Sequence, residues 1–172
     1  MSEKLKQLIS DTQSAFRADP DKAKATFNSS SRLTNGFRSE ISIRQHRLAA
    51  DEPAALGGAD SAPNPVELVL AALGTCQEIT YRAYATAMGI PLDSVSVDLT
   101  GDIDLRGFFG VAESVRSVYQ AIRGTVNIVS SASEADLQKL RAAVDAHCPV
   151  LDILTNKVPV SLGLAIKAKQ AA

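Results

Sequence analysis

Two periodicities of apolar residues along the chain predict a mixture of helices and strands. Apolar residues three or four positions apart, such as Leu5, Leu8 and Ile9, predict a helix, whereas strict alternation from Val158 to Ile166 predicts a strand. The predicted elements are, in order, helix 2–17, strands 23–33 and 37–49, helix 65–88, strands 93–106 and 115–129, helix 134–147, a short helix from Cys148 to Leu154, and strand 158–168. Pairs of strands separated by helices are typical of an α+β fold with mainly antiparallel sheet.

Short-range signals define several boundaries between these elements. Asp19-Pro20 ends the first helix, so we predict that residues 1–22 form a helical extension and that 23–172 form the main domain. Asn35-Gly36 predicts a hairpin between the first two strands, because both residue types tolerate a positive φ.

The helix predicted over 65–88 has clear signals at both ends and a buried start. Asn64 can cap it, Glu67 can complete a capping box, and Gly89 ends it. Apart from Glu67, residues 66–73 are all apolar and leave no polar stripe. A helix of this kind is enclosed on all sides, so we expect it to pack against a sheet, a second helix or a partner subunit.

Composition narrows the possible partners and the compartment. Lys+Arg 18 against Asp+Glu 19 leaves a net charge of −1, and the positive charges are scattered. We therefore expect no nucleic-acid partner and no membrane partner. No stretch reaches the roughly 18 apolar residues that span a bilayer, and no secretory signal is recognisable. We expect a cytoplasmic protein, in which two cysteines are free thiols or a catalytic pair.

Cys76 lies within the predicted central helix. Free cysteine is among the most buried residue types, so the pattern alone favours a residue of the core. Gly74 favours a functional position, because a glycine inside a helix costs about 1 kcal/mol and indicates a close approach to the backbone. A thiolate at Cys76 would need a nearby cation, for which an arginine is the best candidate.

Cys148 precedes Pro149 and is predicted to cap a short helix, where backbone N–H groups favour a thiolate. An equally good interpretation is that Cys148 is only a small, partly buried residue that caps this short helix. With His46 and His147 the two cysteines could supply four zinc ligands, but their spacing fits no zinc motif. A Cys–His hydrolase is disfavoured, and His147 is predicted to be a cation at a helix C-terminus. We expect neither a metal ion nor a cofactor.

Three motifs together resemble the OsmC/Ohr family of organic hydroperoxide reductases and their OsmC-like relatives. They are Asn64-Pro65-Val66-Glu67-Leu68, Ala71-Ala72-Leu73-Gly74-Thr75-Cys76 and Cys148-Pro149-Val150. Asp51-Glu52-Pro53 and Gly57-Gly58 are similar to the OsmC-like branch, and the resemblance covers about residues 25–168. It implies an OsmC-like fold and an intertwined homodimer, in which antiparallel sheets from both subunits wrap around the long central helices.

The resemblance also implies a peroxidase activity in the oxidative stress response. The thiolate of Cys76 would attack a small organic hydroperoxide, release the alcohol and become a sulfenic acid. Cys148 would condense with that sulfenic acid to form a disulfide. A dithiol reductant, such as a lipoyl protein, would then restore both thiols.

One position departs from the family pattern. The family's peroxidases place a glutamate ten residues before the reactive cysteine, where it holds the activating arginine, and this chain has Val66 there. Glu67 lies nine residues before Cys76, which places it on the opposite side of an ideal helix, where a capping role is simpler. The resemblance implies a catalytic set of Cys76, Cys148, Arg38 and Glu67, with Arg32 as the second arginine and Glu52 and Glu78 as further acids.

The residues leave three functional hypotheses open. The preferred hypothesis is a thiol-dependent peroxidase, because Cys76 and Cys148 occur in the family context. Val66 motivates the second hypothesis, a non-catalytic OsmC-like protein that binds a small apolar ligand or senses the redox state. The third hypothesis is a purely structural pair of cysteines, which would not react with alkylating agents in the native state.

Overall fold

The computed structural model describes residues 3–167 and has an α+β fold. Its helices are α1 (Glu3–Ala18), α2 (Pro65–Met88), α3 (Leu105–Phe108), α4 (Glu134–His147) and α5 (Pro149–Thr155). Its strands are β1 (Ser30–Asn35), β2 (Arg38–Ile43), β3 (His46–Ala50), β4 (Ser94–Ile103) and β5 (Tyr119–Val129). Short 3₁₀ helices span Pro20–Ala23 and Ala54–Leu56. Because the strand pairs of the described residues are all antiparallel, the predicted α+β fold class is confirmed.

The first sheet contains β1, β2 and β3 in that order. The predicted hairpin between β1 and β2 is confirmed, and Gly36 supplies the positive φ of 55° at its turn. The single strand predicted over 37–49 is wrong, because the chain turns at Arg44, where φ is 52°, and returns as β3. Strand β1 starts at Ser30 rather than at residue 23, since Ser30 already pairs near the end of β2.

Helix α2 has the boundaries that its capping residues predict. The Asn64 side chain accepts from the Glu67 N–H, and the Glu67 carboxylate accepts from the Asn64 N–H, both at 2.8 Å. Gly89 ends the helix with a φ of 69°, and its N–H donates to the Ala85 carbonyl. The capping box and the left-handed end are therefore confirmed.

The second sheet is the antiparallel pair of β4 and β5, and α2 packs against β4. Alternate residues of β4, including Val97 and Leu99, are partly buried. A methyl group added to Gly74 would lie 3.7 Å from Leu99 and 3.9 Å from Val97, which is ordinary van der Waals contact. A methyl group on Gly124 of β5 would instead collide with the Asp98 carbonyl oxygen. The close approach of β4 to β5 therefore requires glycine at position 124, whereas the packing of α2 on β4 does not require glycine at position 74.

The hydrophobic core lies between α2, α4 and the turn that follows α2. Its buried members are Tyr81 and Ala85 of α2, Ile90 and Leu92 of the turn, and Leu140 and Val144 of α4. This packing fixes α4 along α2, and the junction between α4 and α5 consequently meets the middle of α2.

The N-terminal helix α1 contacts α2 and the 3₁₀ helix at Pro20–Ala23. The division into an extension of residues 1–22 and a main domain of residues 23–172 stays a prediction. Between residues 3 and 167, no helix combines the length and the apolar character needed to cross a membrane.

The strand predicted over 158–168 is wrong for the residues that the structure describes, 158–167; residue 168 lies outside them. None of these residues pairs with another strand of the described chain. Its apolar side chains from Val160 to Ile166 are between 79% and 91% exposed. Alternation predicts a strand only where a second strand supplies backbone hydrogen-bond partners, and residues 3–167 supply none here.

Candidate functional site

Cys76 and Cys148 lie side by side although they are 72 positions apart in sequence. Helix α2 carries Cys76 at its middle, and Cys148 is the residue between α4 and α5. The two sulfur atoms are 3.3 Å apart, in a geometry in which the Cys148 thiol donates to the Cys76 sulfur. A disulfide bond is about 2.0 Å long, so a small movement would join them. The structure thus brings together the two sulfurs predicted from the sequence.

Cys148 is the buried member of the pair, with 1% of its surface exposed. Burial raises the pKa of the Cys148 thiol, although its backbone hydrogen bond with Leu151 acts in the opposite direction. The prediction that the short helix favours a thiolate at Cys148 is therefore wrong, because desolvation outweighs the effect of the helix terminus. Cys148 keeps its proton and can act as a hydrogen-bond donor to Cys76.

Cys76 is partly exposed and opens onto a cavity of about 470 Å³. The wall of this Cys76 cavity is mainly apolar and consists of Ala72, Thr75, Cys76, Ile79, Thr80, Ala83, Tyr84, His147 and Pro149. The rings of Tyr84 and His147 are stacked with their centroids 5.0 Å apart. The His147 Nδ1 atom lies 2.7 Å from the Ala143 carbonyl oxygen. A small apolar molecule in this cavity would meet the Cys76 sulfur and an imidazole ring.

Arg38, the first predicted activator of Cys76, is held at a different place. Its Nη1 atom donates to the Ser61 hydroxyl at 2.7 Å. That hydroxyl donates in turn to the Asp51 carboxylate at 2.7 Å, and the Ser61 N–H donates to the same carboxylate at 3.1 Å. These two hydrogen bonds from Ser61 lower the pKa of Asp51, which is 1% exposed. Within residues 3–167, no arginine hydrogen-bonds to the Cys76 sulfur.

Glu67 is placed at the start of α2, where its carboxylate caps the helix through Asn64. Val66 contributes its carbonyl oxygen, which accepts from the Tyr119 hydroxyl at 2.9 Å. Burial and the nearby Glu67 charge raise the pKa of Tyr119. The structure therefore does not bring Glu67 to Cys76, and its catalytic role stays a prediction.

The remaining candidates also lie apart from the sulfur pair. Arg32 is exposed on β1 opposite Glu40, and the Glu52 carbonyl oxygen accepts from the Asp60 N–H at 3.1 Å. Glu78 lines a separate cleft with Gly74 and Val97. In the described part of the chain, His, Cys, Asp and Glu side chains form no group of three that could hold a metal ion.

No sequence pattern predicts the association of Asp51 with Ser61, since both residues lie at the ends of an irregular loop without periodicity. The contact between Tyr84 and His147 was also not predicted. Helical spacing could have suggested it in part, because Tyr84 lies eight residues after Cys76 and so on a similar face of α2. The packing angle of α4, which brings His147 to that face, is not encoded in local sequence.

Comparison with protein families finds one match to a family model, that of the OsmC-like proteins. It covers residues 58–163, which is more than half of the chain and includes both cysteines. A search of curated proteins finds no significant match.

Solved structures with the same fold include an OsmC-like protein from Mycoplasma pneumoniae, with a TM-score of 0.67 and 17% sequence identity, covering 77% of this chain and 89% of that chain. The organic hydroperoxide resistance protein OsmC from Legionella pneumophila has a TM-score of 0.59 and 20% identity, covering 76% and 89%. An organic hydroperoxide resistance protein from Elizabethkingia anophelis has a TM-score of 0.56 and 18% identity, covering 76% and 88%. At these sequence identities the similarity shows a shared fold and no more.

Proposed function

Because the chain belongs to the family of OsmC-like proteins, we propose that it is a thiol-dependent peroxidase that reduces organic hydroperoxides to alcohols. The observation that carries this proposal is the distance of 3.3 Å between the Cys76 and Cys148 sulfur atoms. Two sulfurs at this distance can form a disulfide after one of them has been oxidised. Two of the solved structures with this fold are described as organic hydroperoxide resistance proteins, which agrees with the proposal.

The different exposure of the two sulfurs supports a fixed order of events. Of the two described sulfurs, only that of Cys76 lines the cavity, while Cys148 is buried behind it. A hydroperoxide would therefore meet Cys76 first. The Cys76 thiolate attacks the outer peroxide oxygen and becomes a sulfenic acid, and the alcohol is released. The Cys148 thiol then displaces water from the sulfenic acid to form the disulfide, and an external dithiol reduces that disulfide.

The character of the cavity supports an organic hydroperoxide as the substrate rather than hydrogen peroxide. Its wall is mainly apolar, with Ile79 and Ala83 contributed by α2 and Pro149 by the start of α5. A volume of about 470 Å³ accommodates an aryl or alkyl group of moderate size. Burial of that group would provide binding free energy that hydrogen peroxide cannot provide.

The chain leaves a large apolar surface that we propose a second copy covers in a homodimer. Ile79, in the wall of the Cys76 cavity, is 70% exposed, and the apolar side chains from Val160 to Ile166 are also exposed. Their alternation requires a strand partner that the described chain does not offer, so a second copy is the proposed occupant. We also propose that Arg38 reaches the Cys76 site in the homodimer, across the subunit interface. Sedimentation velocity should give a dimer mass, and a monomer at micromolar concentration would contradict this arrangement.

We propose a dithiol, such as a lipoyl protein, as the reductant and the cytoplasm as the compartment. Both cysteines are free in the structure, and a reducing compartment would return the disulfide to this state after each turnover. Comparing reduced lipoamide with glutathione at equal thiol concentration tests the reductant. We expect faster turnover with lipoamide, because its second thiol acts intramolecularly on the mixed disulfide.

The activity is tested by following the loss of cumene hydroperoxide with dihydrolipoamide as reductant. Wild type should turn over repeatedly, and Cys76→Ser should not exceed the rate without protein. Cys148→Ser should react once per Cys76 and then stop or become overoxidised, because no second sulfur traps the sulfenic acid. Failure of wild type to turn over, or unchanged turnover in Cys76→Ser, rejects the proposal.

A second candidate function is non-catalytic, namely binding of a small apolar ligand or sensing of the redox state. Val66 at the position of the family's glutamate favours it, as does the hydrogen bond that holds Arg38 at Ser61. In that case the Cys76–Cys148 disulfide would form with peroxide, but turnover would not exceed that of the free dithiol. Repeated turnover that depends on Cys76 would exclude this candidate.

A further inference from the structure

We propose that His147 is a catalytic acid that protonates the leaving alkoxide when Cys76 attacks a hydroperoxide. This inference rests on the proposed function and adds to it a residue that acts on the substrate. An alkoxide is a strong base, so its release from the peroxide bond is slow unless a positioned group supplies a proton. The donor has to reach the same space as the Cys76 sulfur without blocking it.

His147 meets the requirement of position. It lines the Cys76 cavity together with Cys76 itself, and it directly precedes Cys148, whose sulfur lies 3.3 Å from that of Cys76. Among the described residues of the cavity wall, His147 is the one whose side chain has nitrogen atoms, and an imidazole can both donate and accept a proton. A leaving oxygen bound between sulfur and imidazole would have both reacting groups at hand.

The other polar side chains of the wall are less suited to this role. The Thr75 hydroxyl donates to the Ala71 carbonyl at 2.8 Å, and the Thr80 hydroxyl donates to the Cys76 carbonyl at 2.7 Å. Their hydrogens are therefore engaged within α2. Tyr84 carries a phenol, whose proton is held far more tightly than that of an imidazolium.

The hydrogen bond of His147 fixes which nitrogen can deliver the proton. A carbonyl oxygen only accepts, so the Nδ1 atom, 2.7 Å from the Ala143 oxygen, carries a hydrogen in either charge state. Nε2 is then the nitrogen that holds the second proton in the imidazolium and is bare in the neutral ring. The stacked ring of Tyr84 limits rotation of the imidazole.

The protons and electrons of the complete cycle balance with Cys76, Cys148, His147, the hydroperoxide and the dithiol reductant. The Cys76 thiolate bonds to the outer peroxide oxygen, the O–O bond breaks, and the electron pair leaves on the alkoxide. Nε2 of the His147 imidazolium gives its proton to that alkoxide, which yields the alcohol and a neutral imidazole. The Cys148 thiol then condenses with the sulfenic acid and releases water. The dithiol reductant loses two hydrogens: one restores the Cys148 thiol, and the other returns to His147 while Cys76 is again a thiolate.

A series of peroxides with different leaving groups tests this role. Peracetic acid releases acetate, which needs no proton, whereas cumene and tert-butyl hydroperoxide release basic alkoxides. We expect His147→Gln to slow Cys76 oxidation by the two alkyl hydroperoxides about 100-fold, the lower range for a general acid. Its reaction with peracetic acid should change by less than a factor of about 3, since that leaving group makes no use of the acid.

Matched variants separate this role from structural effects. His46→Gln alters the other histidine, which lies on β3 and outside this cavity wall, and should behave as wild type. Tyr84→Phe keeps the stacked ring and should retain the wild-type dependence on leaving group. Alkylation of Cys76 by iodoacetamide in a Cys148→Ser background releases iodide, which needs no proton. His147→Gln should therefore slow this alkylation far less than it slows oxidation by the alkyl hydroperoxides, the remaining effect being the loss of a cation near the thiolate.

These experiments distinguish failure of the proposed peroxidase function from failure of the proposed role of His147. If wild type oxidises Cys76 with none of these peroxides, the proposed function fails. If wild type reacts but His147→Gln slows all three peroxides equally, slows none, or slows alkylation in parallel, the role of His147 is overturned and the peroxidase stands. A selective loss with alkyl hydroperoxides in Tyr84→Phe would also overturn it, because the phenol would then be the acid.

Discussion

Oxidation of Cys76 and Cys148 to a disulfide should raise the free energy of unfolding, because the bond would close a long loop of chain. The two residues lie 72 positions apart, and their sulfurs are already 3.3 Å apart in the reduced fold. In the chain-entropy model, closing a loop of this length stabilises the folded state by about 4 kcal/mol.

The bond has a cost that reduces this value. The sulfurs have to approach from 3.3 Å to a bond length of about 2.0 Å, so α2 or the α4–α5 junction has to shift slightly. We therefore expect a net gain of about 2 to 4 kcal/mol. With a denaturant slope of about 2 kcal/mol per molar urea, the unfolding midpoint should rise by roughly 1 to 2 M.

The assay is urea unfolding followed by circular dichroism at one protein concentration. One sample is oxidised with diamide and freed of oxidant, and the other is kept in a phosphine reductant. Peptide mapping without reduction verifies the bond, and Cys148→Ser treated in the same way should show no difference between the two samples. If a verified Cys76–Cys148 disulfide leaves the midpoint unchanged, or lowers it, the bond does not stabilise the fold and the loop-closure estimate is wrong.

Two further predictions concern glycines and an acid of the fold. Gly74→Ala should leave the free energy of unfolding unchanged or raise it by up to about 1 kcal/mol, whereas Gly124→Ala should lower it, because the added methyl group would collide with the Asp98 carbonyl oxygen. Thermal unfolding of both variants tests this difference. Equal effects of the two substitutions would contradict the packing described. The lowered pKa of Asp51 means that its contribution to stability is present above about pH 4 and is lost as the pH falls towards the folded-state value. Between pH 6 and pH 3, the free energy of unfolding measured with urea should fall more steeply for wild type than for Asp51→Asn. Parallel curves for the two proteins would argue against this contribution of Asp51.

Local signals predicted the parts of the fold that depend on neighbouring residues. The capping box of Asn64 and Glu67 and the helix end at Gly89 involve side chains within a few positions of each other. The hairpin at Gly36 likewise depends on one residue with a positive φ. Each of these features has a physical cause contained in a short segment, so the sequence is sufficient for it.

Features that depend on distant segments were not predictable in this way. Arg44 turns the chain with a positive φ, although nothing in its residue type favours that conformation. The alternation from Val158 onward resembles a strand, but the formation of a strand depends on a pairing partner elsewhere. The pairing of Asp51 with Ser61 depends on the closure of a loop.

In the candidate site, too, the residues could be predicted from local motifs, whereas their surroundings depend on distant segments. The motifs identified Cys76 and Cys148, while their proximity results from the packing of α4 and α5 on α2. Helix-terminus reasoning predicted a thiolate at Cys148, whereas the surrounding core raises the pKa of that thiol. Burial is a property of the whole fold, so the charge state of Cys148 could not be derived from its neighbours in sequence.

Identification of the sulfur that peroxide oxidises first tests the proposed peroxidase mechanism most directly. Cys148→Ser and Cys76→Ser are each treated with one equivalent of cumene hydroperoxide in the presence of dimedone, and the adducts are located by mass spectrometry. We expect a dimedone adduct on Cys76 in Cys148→Ser, little adduct on Cys148 in Cys76→Ser, and a Cys76–Cys148 disulfide in wild type. Preferential oxidation of Cys148, or the absence of that disulfide in oxidised wild type, would show that Cys76 is not the peroxide-reactive sulfur of a disulfide-forming pair.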